Sequence, residues 1–222
     1  MCPSEPIRTR TALLLFLSLL LCDGLRAQSG FRIEGGTFLP YNVPMPLTIH
    51  QSGEPDIPIT ARYSSEPFVV PICWIWRIGL WSDGRAWELE GVHHKIFLDN
   101  RSAEVENFSV SHGLNQLTIN RAWVFSEFEA RVGAGVILAH PESTIRGKTM
   151  AEEGGFLNLG YRLTGPTVQG AVGKCFPLAG AFFLTTELKL SAYHASVPVS
   201  EGDAQVWGIL AQLTMMIGWQ NE

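Results

Sequence analysis

The stretch "FEARVGAGVIL", residues 128–138, alternates between two kinds of side chain. In an extended chain Phe128 and Val132 fall on one face, whereas Glu129 and Arg131 fall on the other. A period of two residues is typical of a β-strand and differs from the 3.6-residue period of a helix. The stretch therefore predicts a strand with one apolar face and one polar face.

The same alternation recurs along the chain and predicts an all-β protein. The eight predicted strands cover about residues 31–39, 67–81, 85–98, 106–124, 127–140, 156–176, 181–195 and 204–219. Several are longer than the 5–6 residues or so that are usual in soluble proteins. A strand that crosses a bilayer at a tilt needs about 9–11 residues.

The connections between the predicted strands alternate in length. The long ones cover about 40–66, 99–105, 141–155 and 196–203, and the short ones are "SDGR", "FSEF" and "FPLAG". Asp-Gly in "SDGR" is a strong hairpin signal. Short periplasmic turns and longer outer loops are typical of bacterial outer-membrane barrels. We therefore predict an eight-stranded antiparallel up-and-down transmembrane β-barrel.

Aromatic residues agree with this orientation. Five of them fall near the predicted periplasmic rim, where an aromatic girdle is expected: Trp87, Trp123, Phe128, Phe182 and Trp219. The competing class is a soluble secreted barrel, which would turn its apolar face inward around a ligand. Small residues on the polar face suit a narrow lumen and favour the membrane class.

The N-terminal segment has the features of an exported protein. "IRTRTALLLFLSLLLCDGLRA", residues 7–27, combines basic residues, an apolar run and a small residue at its end. This pattern predicts a signal peptide over residues 1–27, cleaved on export through the inner membrane, and a barrel domain over 28–222. The net charge of −5 gives no basic footprint for nucleic acid.

Nine charged side chains fall on the predicted polar faces. They are Glu34, Glu88, Glu90, Glu129 and Glu187, with Arg32, Arg77, Arg131 and Lys189. Because eight strands leave an interior just wide enough for side chains, these charges should pair across the lumen. The favoured interpretation is a structural plug, and a proton or ion path is the alternative.

"WELEGVHHKIF", residues 87–97, contains the main candidates for chemistry. His94 shares the polar face with Glu90, whereas His93 should face lipid or the interface. His112, on the next strand, could join His94 and Glu90 as a catalytic or metal-ligating set. Imidazole and carboxylate together suit Zn, Fe, Mn or Cu, and the sequence does not choose a cofactor. The alternative is that these histidines are interfacial polar residues.

Ser111 and His112 raise a second possibility, because a serine–histidine pair oriented by an acid can cleave an ester. Adjacent residues of a regular strand point to opposite faces. The pair could work together only where a bulge intervenes.

"YRLTGPTVQGAVGKCFPLAGAFFLTTELKLSAYHASV", residues 161–197, resembles the late strands of small bacterial outer-membrane β-barrel proteins, including some described as similar to lipid A oxidase. The matching features are Gly165-Pro166, Gln169, and inward Glu187 and Lys189. The resemblance covers about residues 127–219. It implies a place in the bacterial outer membrane, contact with membrane lipid and lipopolysaccharide, and insertion by the barrel-assembly machinery.

Three functions are compatible with these observations. The first is a non-enzymatic surface, binding or structural barrel. The second, implied by the resemblance, is an oxidase-like, metal-dependent enzyme that modifies lipid A at the outer leaflet. The third is a small channel.

Overall fold

The computed structural model describes residues 29–150 and 160–221, and this part of the chain is built from strands. The predicted signal peptide and residues 156–159 of the sixth predicted strand lie outside the described residues. In chain order the strands are β1 Gly30–Val43, β2 Met45–Gln51, β3 Ile57–Ala61, β4 Tyr63–Ser64, β5 Trp74–Ser82, β6 Arg85–Leu98, β7 Val105–Phe125, β8 Phe128–Ala139, β9 Glu142–Ile145, β10 Lys148–Thr149, β11 Arg162–Pro177, β12 Phe182–Val199 and β13 Gly202–Gln220.

Eight of these strands close into a barrel. Around the ring the order is β1, β5, β6, β7, β8, β11, β12 and β13, and every neighbouring pair is antiparallel, including β13 with β1. The predicted eight-stranded up-and-down barrel is confirmed. Within the described residues, no helix is long and apolar enough to cross a membrane.

The alternation predicted for residues 128–138 is also confirmed. Val132 is 52% exposed on the outside of β8, and Arg131 is buried inside the barrel. Strands β12 and β13 alternate in the same way, which gives this part of the barrel an apolar exterior and a polar lumen.

Short turns lie at one end of the barrel, which we call the short-turn end. The Asp83–Gly84 turn has positive φ angles of 50° and 71°, as a type I′ hairpin requires. All five aromatic residues predicted for the girdle lie near this end in the strand register: Trp87, Trp123, Phe128, Phe182 and Trp219.

The opposite end, which we call the extended end, departs from the prediction. Residues 40–66 were expected to be a long loop, but β1 continues to Val43 and β2, β3 and β4 follow. Strand β2 adds to β13, and β3 pairs with β2. The prediction of a loop over these residues was wrong. Pro58 lies on β3, which has one partner strand, and an edge strand tolerates proline.

Two other long connections are also more regular than predicted. Within 141–155, β9 pairs with β7, and β10 pairs with β9. The expected long connection over 196–203 is a hairpin, in which Val199 pairs with Gly202. The extended end is therefore a continuation of the barrel wall.

The predicted strand 67–81 begins too early, since β5 starts at Trp74. Pro67 and Pro71 have no N–H to give to a sheet, and the segment before Trp74 leaves the wall. Phe68 and Val70 of this segment are exposed.

The extended end has an apolar core. Its buried side chains are Leu47, Ile49, Ile57, Ala61, Tyr63, Ile96, Leu98, Val105, Phe108, Val110, Leu114, Ile137, Ala139, Ile145, Tyr193, Ala195, Val197, Val199, Ala204, Val206 and Leu210. They come from barrel strands and from the added strands β2, β3, β4 and β9. The inside of this half of the molecule is therefore packed like a globular core.

We expect Phe108→Ala to lower the free energy of unfolding by about 3–5 kcal/mol, because it leaves a cavity in this core. Phe68→Ala is the matched control, since Phe68 is exposed, and a change within about 0.5 kcal/mol is expected there. Urea unfolding in detergent, followed by circular dichroism, measures both. Equal effects of the two variants would contradict a packed core at this end.

Candidate functional site

Charged side chains fill the lumen on the short-turn side of the apolar core. All nine predicted charges are buried there, and we call them the lumen charge network: Arg32, Glu34, Arg77, Glu88, Glu90, Glu129, Arg131, Glu187 and Lys189. Strand register explains part of this arrangement. Glu34 pairs with Arg77 across β1 and β5, and Arg77 pairs with Glu90 across β5 and β6.

Arg131 donates hydrogen bonds to three carboxylates from three strands. Its guanidinium donates to Glu88 at 2.9 Å, to Glu187 at 3.0 Å and to Glu129 at 2.6 Å. Arg77 donates to the same Glu187 at 2.9 Å. Glu187 therefore links the two arginines at the centre of the network.

The remaining contacts of Arg77 and Glu90 complete the pairing. Arg77 donates to Glu90 at 2.6 Å and to Glu34 at 3.3 Å. Lys189 also contacts Glu90, and the amide of Gln169 donates to Glu90 at 2.8 Å. An unpaired buried charge would cost several kcal/mol, so this dense pairing is what allows the charges to remain inside. The predicted structural pairing across the lumen is confirmed.

The short-turn side of the network contains contacts that the sequence analysis did not name. Arg32 donates to Glu129 at 2.7 Å and lies over the ring of Phe183 at 4.2 Å. Thr185 donates to Glu34 at 2.7 Å. Arg32 also lies over the ring of Trp81, which is buried. Trp81 points inward because it is four residues from Arg77 and every second residue of a strand shares a face.

The three candidates for catalysis or metal binding lie in different surroundings. Glu90 belongs to the lumen charge network, and the Nε2 atom of His94 lies 2.9 Å from Oδ1 of Asn42 inside the barrel. The His112 side chain is 55% exposed on the outside. No group of three or more metal-ligating His, Cys, Asp or Glu side chains occurs in the described part of the chain. The structure therefore does not bring His94, Glu90 and His112 together.

A bulge in β7 explains the position of His112. His94 pairs with Leu114, but Ile96 pairs with Val110, so residues 111–113 lie opposite Lys95 alone. Gly113 has a φ of +127°, which favours glycine. The bulge breaks the simple alternation and leaves neighbouring side chains on the same side.

This bulge creates a second polar group on the barrel exterior, which we call the exterior cluster: Ser111, His112, His140, Glu142 and Tyr161. Nδ1 of His112 lies 2.5 Å from Oε1 of Glu142, and the hydroxyl of Ser111 donates to the same carboxylate oxygen. The ring centres of His112 and His140 are 4.9 Å apart. The hydroxyl of Tyr161 donates to the backbone oxygen of His112 at 2.7 Å.

His93 and His94 have different neighbours, as expected for adjacent residues of a strand. His93 Nδ1 lies 2.8 Å from Oδ1 of Asn115, and its ring stacks on Trp74 with centres 5.1 Å apart. The prediction that His93 faces lipid or the interface is wrong in one respect. The ring is buried, because Trp74 covers it.

His50 forms a separate pair at the extended end. Its Nδ1 atom lies 2.7 Å from Oδ1 of Asp56. This hydrogen bond to a carboxylate raises the pKa of His50 above its ordinary value. The pair has the same imidazole–carboxylate contact as His112 and Glu142, and both of its side chains are partly exposed.

The fold and the lumen define a closed antiparallel β-barrel with an apolar exterior and a charged interior. No protein-family model matches the chain, and no curated protein matches it significantly. Similar solved structures are outer-membrane or surface proteins. OprG of Pseudomonas aeruginosa has 11% identity and a TM-score of 0.47, with 89% of this chain and 98% of that chain covered.

Two further structures are similar at the same level. The outer membrane protein AlkL, solved in lipid bilayers, has 13% identity and a TM-score of 0.46, covering 100% of this chain and 97% of its own. Neisserial surface protein A has 10% identity and a TM-score of 0.43, covering 87% of this chain and 98% of its own. At these values the likenesses carry no argument about function. The resemblance to lipid A oxidase-like proteins stays a prediction.

We expect Arg131→Ala to lower the free energy of unfolding by about 3–5 kcal/mol, because it leaves buried carboxylates without a partner. Arg121→Ala is the matched control, since Arg121 lies on the exterior over Trp87, 5.2 Å from the ring centre. Its loss should be about 1 kcal/mol or less. Denaturant unfolding in lipid vesicles, followed by tryptophan fluorescence, compares them. An unchanged midpoint for Arg131→Ala would show that Arg131 is not buried in a paired network.

Proposed function

We propose that the protein is a closed outer-membrane barrel with a surface, binding or structural role. The observation that carries this proposal is the inside-out distribution of side chains. Exposed apolar residues come from all eight barrel strands: Ile33, Leu39, Ile78, Leu80, Leu89, Ile119, Val132, Val136, Val168, Val172, Leu188, Leu190, Leu213, Met215 and Ile217. Soluble monomers rarely expose contiguous apolar patches above a few hundred Å², so this belt favours a lipid environment.

Other features support the outer membrane. The closed ring pairs its strands on both sides, which a lipid-embedded sheet needs because lipid offers no hydrogen bonds to a free edge. Aromatic residues lie near the short-turn end, as in the girdle of outer-membrane barrels. The predicted signal peptide agrees with export. In this orientation the short-turn end faces the periplasm and the extended end faces outward.

The filled lumen supports a role at the surface. Charged side chains occupy one half of the barrel and the apolar core occupies the other. Since eight strands enclose little space beyond these side chains, they leave no room for a wide aqueous path. We therefore place the function outside the lumen, with outer-membrane lipid and lipopolysaccharide as the surrounding partners and the barrel-assembly machinery as the route of insertion.

The extended end is built to present a stable surface. Arg146, in the β9–β10 turn, donates to Glu104 at 2.8 Å and to the backbone oxygen of Pro55 at 2.9 Å. Lys148 contacts Glu201 in the β12–β13 turn. These contacts tie the added strands to one another, which suits binding or structural support.

Metal-dependent modification of lipid A is the alternative implied by the sequence resemblance. Its three candidates, His94, Glu90 and His112, do not form a group, and the described residues offer no other group of three such ligands. No specific observation favours this alternative over the surface role.

Planar-bilayer recording tests the proposal. We expect the refolded chain to insert into bilayers without adding conductance, because both halves of the lumen are filled. Insertion is checked independently by the slower gel mobility of the heated protein. The control is a Phe108→Ala and Leu114→Ala double variant, which widens the core of the extended end but keeps the lumen charge network. Stable unit conductance steps from the wild-type chain would overturn the closed-barrel proposal.

A further inference from the structure

The exterior cluster has a feature that lumen closure does not need, namely a histidine held in one tautomer. Oε1 of Glu142 lies 2.5 Å from Nδ1 of His112, so Nδ1 carries the proton that the carboxylate accepts. Nε2 then has a free lone pair. The side chain is 55% exposed, which leaves the imidazole open to a substrate. A carboxylate that orients a histidine in this way is a recurring arrangement for general-base catalysis.

The position of Ser111 indicates which group the base would activate. Its hydroxyl donates to Glu142, and its oxygen lies 3.2 Å from Nδ1 of His112. A serine nucleophile would have to contact Nε2 instead. The geometry therefore favours a water molecule as nucleophile, with Ser111 as a positioning residue for Glu142.

A second histidine can assist at the same place. The Nε2 atom of His140 is buried and makes no hydrogen bond in the described part of the chain. The ring centres of His140 and His112 are 4.9 Å apart. The ring of Tyr161 packs against His140 in an edge-to-face arrangement. Because this nitrogen is buried, His140 acts through its contact with the His112 ring, as a positioning residue.

An apolar surface begins next to the exterior cluster and continues toward the short-turn end. Leu138 of β8, two residues before His140, pairs with Leu163 of β11, and Leu163 is exposed. The next exposed pair on this side is Leu117 with Val136. An acyl chain that lies along these side chains would bring the bond at its polar end to the exterior cluster.

We propose that the exterior cluster hydrolyses carboxylic esters of membrane amphiphiles, with His112 as the general base. This activity goes beyond the surface role, because it is a catalytic reaction of the exterior cluster, which lies on the outside of the barrel beside the apolar belt. The shared chemistry is an acyl ester at the polar boundary of a lipid, whether the lipid is a phospholipid or lipid A.

The proposed reaction consumes one water molecule. Nε2 of His112 takes a proton from water while the water oxygen forms a bond to the ester carbonyl carbon. The bond from that carbon to the alkoxy oxygen then breaks, and the His112 imidazolium returns the proton to the leaving oxygen. The products are a carboxylic acid and an alcohol.

The test uses the refolded full chain in mixed micelles with 4-nitrophenyl palmitate, and measures the release of 4-nitrophenol. His112→Gln should lower the rate by about 100-fold or more, as expected for loss of a general base. Glu142→Gln should also lower it, whereas Ser111→Ala, which removes a hydrogen bond to Glu142, should lower it less than either of these two changes. His50→Gln is the matched control, because it removes an exposed imidazole–carboxylate pair on β2 that is not part of the exterior cluster, and it should retain the full rate.

Two further measurements locate the substrate. Leu163→Ser should reduce the preference for the palmitate over the acetate ester, because it interrupts the proposed acyl path. Fatty acid released from micelles of diacyl phosphatidylethanolamine or of lipid A, measured by mass spectrometry, identifies the lipid source. A wild-type rate equal to that of His112→Gln, or release from neither lipid, would overturn the proposal. A loss in Ser111→Ala as large as that in His112→Gln would overturn the water route.

Discussion

Arg77 and Arg131 share the carboxylate of Glu187 at the centre of the barrel, and the rest of the structure depends on this shared contact. The three residues come from β5, β8 and β12, which lie on different parts of the wall. If the barrel opened, each charge would lose ion pairs that are strong because the interior has a low dielectric constant. The lumen charge network therefore requires closure, and closure leaves the apolar faces of all eight strands on the outside. Charge pairing inside and an apolar surface outside are two consequences of one alternation.

The extended end solves a different problem with the same strands. Beyond the belt the wall continues outward through β2, β3 and β9, and its inner side is filled with apolar residues such as Phe108 and Leu47. The molecule thus changes along its axis from a barrel with a polar interior to a packed apolar core. At this transition the regular pairing of β6 and β7 breaks. The exterior cluster lies at the break, where a bulge can place polar side chains beside the apolar belt.

Much of the barrel could be predicted from the sequence, because a period of two assigns each residue to a face without knowledge of its neighbours. Arg131 and Glu187 were placed inside on this basis, and both are buried. Strands β2 and β3 were not predicted, and β3 contains Pro58, which a sheet tolerates there because β3 is an edge strand. The exterior cluster could not be assembled from spacing alone. Glu142 is thirty-one residues from Ser111, and only the bulge, signalled weakly by Gly113, puts Ser111 and His112 on one side.

The placement of apolar side chains outside and charged side chains inside is tested most directly by two tryptophans, one on each side of the barrel wall. Trp87 is 62% exposed on the belt, whereas Trp81 is 3% exposed and points into the lumen beside Arg32. Fluorescence quenching in vesicles of lipid brominated high on the acyl chain reports contact with lipid. Our account predicts that Trp87→Phe lowers the quenched fraction of the emission, because it removes a lipid-facing emitter. Trp81→Phe should raise that fraction, because it removes a shielded one. The opposite pair of results would show that the charged faces, not the apolar ones, meet the lipid.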